Sequence, residues 1–238
     1  MVQRQDVLDY LKYLKTPLDI ADPKAWKPEE IKVLKSYQKL APELFKDLKA
    51  DNCLSFSEVF PVQSPQAIDE MRGKDDRLVK STWMTTNIAN NLLKSGKIFG
   101  AEGQWFILLS LYQCECEQIK SFFLDSIKKV NKRLPPKKRE RLKSFVTLGP
   151  MIRILKNYKK GKYVSLFSEV DVDLRNAVAH FAYEFSDDEI EYAGKKISTL
   201  GLVFKFRKVS ALVAILFGNK LKAFAAEFEQ LAKRMSWI

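Results

Sequence analysis

Residues 171–197 read Asp-Val-Asp-Leu-Arg-Asn-Ala-Val-Ala-His-Phe-Ala-Tyr-Glu-Phe-Ser-Asp-Asp-Glu-Ile-Glu-Tyr-Ala-Gly-Lys-Lys-Ile. Two periods meet in this stretch. Leu174, Ala177, Val178 and Phe181 recur at helical spacing and make one apolar face. Asp173, Asn176 and His180 stand at i, i+3 and i+7, a polar stripe beside that face. From Ala182 the period becomes 2. Tyr183, Phe185, Ile190 and Tyr192 alternate with polar residues around Ser186-Asp187-Asp188, and Gly194 follows. Alternation about an acidic turn predicts a β-hairpin. Strand structure is therefore expected as one short insertion.

Everything on either side reads as helix. Leu200–Trp237 is helical downstream. Upstream, Tyr163–Phe181 predicts one helix. Another runs from Pro150 to Lys160 and is ended by Gly161, and Lys137–Phe145 forms a short basic one. Leu134-Pro135-Pro136 stops a long apolar helix over Glu102–Lys132 that carries Phe106, Leu109, Leu111, Phe122, Phe123 and Ile127. Asp76–Ser95 is helical, with Gly96 as its C-terminal cap. Asp51–Asp75, holding Pro61 and Pro65, is irregular and marks a boundary. Glu29–Ala50 is helix-rich, with a break or kink expected at Pro42. Val7, Tyr10, Leu11 and Leu14 make a further amphipathic stripe. Residues 1–75 thus read as an N-terminal helical extension of unknown role, and residues 76–238 as a helical domain. Without a βαβ rhythm, the expected fold is all-α: a helical bundle with a small β-hairpin inserted after the 163–181 helix.

The chain has 238 residues, 46% apolar and 29% charged, with 9 Gly and 9 Pro. That composition excludes a disordered tail, a collagen-like fibre and a disulfide scaffold. Cys53, Cys114 and Cys116 are too few and too irregularly spaced for a disulfide framework. Cys114 and Cys116, two apart on a helix, face different ways. Buried, reduced thiols are expected, and no metal or cofactor. The first ten residues lack the apolar core of a secretory signal. The longest apolar run, Val209–Gly218, has ten residues and follows Lys205, Arg207 and Lys208, too short to span a bilayer. A soluble, cytoplasmic protein is expected.

Charge is concentrated. The net charge is +12, yet Lys128–Lys162 alone holds 14 basic residues and one acid, Glu140, or +13. The rest has 27 basic and 28 acidic residues, or −1. A nearly acid-free run of this kind points to an anion-binding surface, with nucleic acid as the ligand and its phosphates as the point of contact. Without a matched apolar face it is not a membrane-binding helix.

Phosphate-binding glycine loops, the G-x-S-x-G elbow and H-E-x-x-H are all absent. What remains is His180, the only histidine. Arg175 stands five residues before it, with a side chain long enough to swing toward the polar stripe. The string Arg175-Asn176-Ala177-Val178-Ala179-His180 resembles the R-x4-H motif of the HEPN superfamily (higher eukaryotes and prokaryotes nucleotide-binding), in the form with Asn directly after Arg. The helix near Leu148–Ile152, the hairpin and the final helix resemble the motif's usual context. The resemblance covers roughly 76–238.

That resemblance implies an all-α bundle that dimerises through the motif helices. It also implies a metal-independent endoribonuclease of toxin or defence type. Arg175 and His180 would be the catalytic pair, and Asn176 would orient them. Imidazole exchanges protons near neutrality, and guanidinium presents a charged fork to phosphate. RNA supplies its own nucleophile, the 2′-hydroxyl, so the expected products are 2′,3′-cyclic phosphate and 5′-hydroxyl ends. Lys128, Lys129, Lys132, Arg133, Lys137, Lys138, Arg139, Arg141, Lys159, Lys160 and Tyr183 are the expected RNA-binding residues. Toxin branches pair with antitoxins such as a nucleotidyltransferase, which modifies a tyrosine two residues after the histidine. Here Ala182 stands there and Tyr183 one further on. The alternatives are a non-catalytic HEPN-like dimer that binds RNA or acts as a scaffold, and an unrelated basic DNA-binding helical protein.

Overall fold

The computed structural model describes residues 27–54, 101–142, 146–186, 189–225 and 227. The helices expected around Val7–Leu14 and over 76–95 lie outside them, as do most of the 51–75 boundary, Lys143, the Asp187-Asp188 turn and the end of the final helix. Six α-helices are found among the described residues: α1 (Pro28–Ala50), α2 (Ala101–Phe123), α3 (Ile127–Arg133), α4 (Leu148–Asn157), α5 (Val172–Ala179) and α6 (Thr199–Ala223). Three strands, β1 (Tyr183–Ser186), β2 (Glu189–Tyr192) and β3 (Lys195–Ser198), make one antiparallel sheet in the order β1-β2-β3. The chain is mostly helical with a small sheet, and no described helix is long and apolar enough to cross a membrane.

The contacts divide the chain into two units. One comprises Met1–Leu34, Arg72–Gln118 and Glu169–Ala211, the other Lys35–Met71, Ile119–Ser168 and Leu212–Ile238. In the second unit, Tyr37, Ala41, Leu44, Phe45 and Leu48 form a fully buried helical stripe on α1. Phe45 stacks on Phe123 at 6.0 Å, and Phe123 meets Phe167 edge-on at 5.9 Å. This packing overrides Pro42. The expected break is absent, and α1 runs through the proline as one helix. Burial of the stripe on both sides of Pro42 outweighs one lost backbone hydrogen bond.

Other boundaries also differ from expectation. The single helix expected over 102–132 is two, α2 and α3. The Ser126 hydroxyl donates to the Phe123 carbonyl at 3.1 Å, the chain turns with Leu124 exposed, and α3 restarts with Ile127 and Val130 buried. Of the short basic helix expected over 137–145, the described residues form a 3-10 turn, Pro136–Lys138, then an extended Arg139 and non-helical chain to Leu142. The turn has no buried residue to hold a longer helix. The 150–160 helix begins earlier, at Leu148, and ends at Asn157. Lys159 and Lys160 then adopt left-handed φ of 46° and 58°. The helix expected over 163–181 is a 3-10 turn, Ser165–Phe167, and then the eight-residue α5.

In the first unit the hairpin forms with Phe185 opposite Ile190 and Tyr183 opposite Tyr192. It is extended by a third strand that the alternation does not reveal. Ala193 (φ 48°) and Gly194 (φ 73°) supply the two left-handed residues of a tight hairpin turn into β3. Cys53 and Cys116 are buried and Cys114 is half-buried, all as free thiols. Burial pushes the Cys116 thiol up to about 12.

Glu115 on α2 carries a testable consequence. Its Oε1 accepts from the Ser210 hydroxyl at 3.0 Å, while Oε2 is sealed and finds no partner among the described residues. Burial pushes its carboxyl up to about 7, and the Ser210 bond offsets only part of that. A carboxyl raised from its ordinary value in the folded state binds its proton more tightly there. Its stabilising protonated form is fully present below the ordinary value and is lost as pH rises through about 7. Glu115→Gln therefore removes a pH-dependent loss. Relative to the variant, wild type should lose up to roughly 3 kcal/mol between pH 4.5 and 8. Thermal melts across that range check it; parallel curves would refute it.

Candidate functional site

Helix α5 is fixed at its start by Asp171. The Asp171 carboxylate accepts from the Leu174 amide at 3.0 Å, an N-terminal cap. Its second oxygen accepts from the Tyr192 hydroxyl at 2.9 Å and faces Lys205 at 3.4 Å. The Tyr112 hydroxyl accepts from the Asp171 amide at 2.8 Å and donates to its carbonyl at 3.2 Å. The first residue of the motif region is thus tied to α2, β2 and α6. Leu174, Ala177 and Val178 face inward.

The motif residues lie on and beyond this short helix. Arg175 and Asn176 are linked, Nη1 of Arg175 donating to Asn176 Oδ1 at 3.1 Å. The expected reach of Arg175 to the polar stripe is thus realised. The guanidinium also meets a partner that spacing does not indicate. Its Nε donates to Glu117 Oε1 at 2.8 Å, and Nη2 contacts the same oxygen. The Arg175 side chain keeps only 18% of its exposure. His180 is the C-terminal cap, and its amide donates to the Asn176 carbonyl at 3.1 Å. The residue is exposed, and no hydrogen bond or ion pair to its ring is found among the described residues.

One expected apolar residue is corrected. Phe181 does not continue the buried face; it is 74% exposed with φ 53°, because the helix ends at Ala179. Tyr183 is half-buried on β1 and meets Phe185 edge-on at 5.4 Å. Two residues of the site escape a sequence reading centred on His180. Asp171, an aspartate just before a periodic run, carries the ordinary cap signature. Glu117, 58 residues before Arg175, carries none.

The basic segment belongs to the second unit, and part of its charge is already answered there. Glu43 and Asp47 on α1, and Asp51 just past its end, follow one another at intervals of four residues. Lys162 contacts Glu43 at 3.0 Å and Asp47 at 3.1 Å, and Lys159 contacts Asp51 at 2.8 Å. The Lys159 ammonium and the Tyr158 hydroxyl hold the Asp51 carboxyl below the ordinary range. Arg153 binds Glu140 through two bonds at 2.8 and 2.9 Å. Arg133 donates to the Asp51 carbonyl. Arg139 donates to the carbonyls of Leu134 and Lys132, closing the end of α3. Of the expected RNA-binding cations, Arg133, Arg139 and Lys159 are thus engaged within the fold, and Lys129 is half-buried. Lys128, Lys132, Lys137, Lys138, Arg141 and Lys160 are exposed. Lys128 and Lys132 share a face of α3.

A triple Lys132→Gln, Lys137→Gln, Lys138→Gln variant should bind single-stranded RNA more weakly. Its plot of log affinity against log salt should be shallower by about 2, near 0.7 per lost phosphate contact. An unchanged slope, with unchanged melting, would show that these lysines do not meet phosphate. No family model, curated protein or solved structure matches the chain.

Proposed function

We propose that the chain is a metal-independent endoribonuclease for single-stranded RNA, folded as an all-α bundle of HEPN type. The observation that carries the reading is the exposed imidazole of His180 at the end of a helix that also bears the hydrogen-bonded pair Arg175 and Asn176. In the proposed step the 2′-hydroxyl of a ribose loses its proton to an imidazole. The 2′-oxygen bonds to the adjacent phosphorus, and the bond from phosphorus to the 5′-oxygen breaks. The 5′-oxygen leaves as a hydroxyl by taking a proton from an imidazolium. A 2′,3′-cyclic phosphate remains. Arg175 steadies the charge that grows on the phosphate oxygens.

The proposal includes a homodimer through α5, which brings two Arg–His sets to one site. RNA is drawn in by the exposed lysines of the 128–141 stretch. It further includes a cytoplasmic toxin or defence role, held off by an antitoxin partner.

One observation favours a second reading, a non-catalytic RNA-binding or scaffold dimer. The Arg175 guanidinium is already engaged by the Glu117 carboxylate, which a phosphate would have to displace. Purified full-length chain incubated with labelled single-stranded RNA in EDTA decides between them. Cleavage to cyclic-phosphate ends that disappears in His180→Ala supports the enzyme. Binding without cleavage supports the scaffold.

A further inference from the structure

The most exposed large apolar side chain among the described residues is Phe181, directly after the sole histidine. Its backbone is as unusual as its exposure. The Phe181 amide donates to the Val178 carbonyl at 3.3 Å, and the Ala182 amide donates to the Ala177 carbonyl at 2.8 Å. These are the paired bonds of a Schellman cap, with His180 as the cap residue and Phe181 in the left-handed position after it. Glycine ordinarily fills that position, because a Cβ is disfavoured there and a bulky side chain more so. The chain thus combines a strained conformation with a ring left in water. Strained residues of this kind cluster where a site uses them.

The neighbouring rings sharpen the contrast. Phe185, 39% exposed, is braced by Tyr183 at 5.4 Å and Trp105 at 6.3 Å. Phe181 makes no ring contact among the described residues. The pairing of Phe185 with Tyr183 and Trp105 accounts for its position on the sheet; among the described residues nothing equivalent accounts for Phe181. One lone ring offers about 150–250 Å², far below the roughly 800 Å² per partner of a stable protein interface. It is the right size for one flat heterocycle. His180 and Phe181 are consecutive and both exposed, with Cα atoms about 3.8 Å apart, so one RNA strand can meet both.

We infer that Phe181 is a base-stacking residue, seating one unpaired nucleobase of RNA next to His180. The inference rests on the ribonuclease reading and adds what that reading lacks, the residue that sets the register of the strand against the imidazole. Stacking uses the π-face common to all bases, so it positions without strong sequence preference.

The test uses full-length chain and a 2′-O-methylated single-stranded oligonucleotide, which binds without being cut, with anisotropy as the readout. Phe181→Gly and Phe181→Asn both suit the left-handed position. They should melt no lower than wild type, yet bind about tenfold more weakly. Phe181→Trp should restore affinity. In wild type, an abasic residue at one position of the oligonucleotide should cost about the same tenfold, and in Phe181→Gly that same position should cost nothing further. If wild type binds and cuts RNA but both variants bind as it does, the stacking inference fails and the ribonuclease reading stands. If wild type neither binds nor cuts RNA, both fail. A change in solution mass on Phe181→Gly would assign the ring to a contact between copies and overturn the inference.

Discussion

Replacing His180 with alanine is expected to lower RNA cleavage in EDTA by about 10²–10⁴-fold, the usual contribution of a positioned proton-transfer group. The fold should not change with it. His180 is exposed, and its part in ending α5 is a backbone bond, from its amide to the Asn176 carbonyl, which alanine also makes. Stability should stay within about 0.5 kcal/mol of wild type. Arg175→Ala makes a useful contrast. It strips Glu117 of a half-buried partner, so it should lower the melting temperature as well as the rate. Single-turnover cleavage of an end-labelled RNA, with analysis of the 3′ ends, gives the rate and the chemistry together. Undiminished cleavage by a well-folded His180→Ala chain would remove the imidazole from the mechanism.

Asp171→Ala should have the largest effect on stability. The carboxylate caps α5 through Leu174 and accepts from the Tyr192 hydroxyl. Loss of a cap costs about 1 kcal/mol, and leaving a half-buried hydroxyl without its acceptor costs about 1–3 kcal/mol. The sum is about 3 kcal/mol, or roughly 6–12 °C in a chain of this length. Asp171→Asn keeps an oxygen for the cap and should lose less. The effect should also depend on pH. Burial by itself would raise the Asp171 carboxyl. The Leu174 amide, the Lys205 charge, the Tyr192 hydroxyl and the Lys195 charge outweigh burial and hold it below the ordinary aspartate range. A group lowered in the folded state stabilises above its unfolded value, and that contribution is lost as pH falls through the folded one. The gap between wild type and Asp171→Ala should therefore be full at neutral pH and narrow in acid. Equal melting of the two chains at pH 7 would show that the cap carries no weight.

Several features could be read from local pattern. The apolar face of α4, the alternation of β1 and β2, and the helical character of α6 follow from which side chains recur at which spacing. Such spacing reports a preference of the nearby backbone. The cap at Asp171 and the Arg175-Asn176-x3-His180 string are local in the same sense. Local pattern misjudged the ends. It carried one helix through Leu124-Asp125-Ser126, where a serine hydroxyl closes the turn, and it broke another at Pro42, where burial on both sides holds the helix together. It counted Phe181 as interior, because it placed the helix end beyond the residue at which the chain turns left-handed.

The charges and their partners could not be assigned in this way. The segment 128–162 looks almost unopposed until Glu43, Asp47 and Asp51, about a hundred residues earlier, meet Lys159 and Lys162. Arg175 looks like a free guanidinium until Glu117 arrives from another helix. An ion pair acts through a few ångströms of space, and spacing along the chain says nothing about which distant helix will lie within that reach. Residue order fixed where His180 stands relative to Arg175 along the chain; packing determined that the imidazole is open to water while the guanidinium is held by a carboxylate.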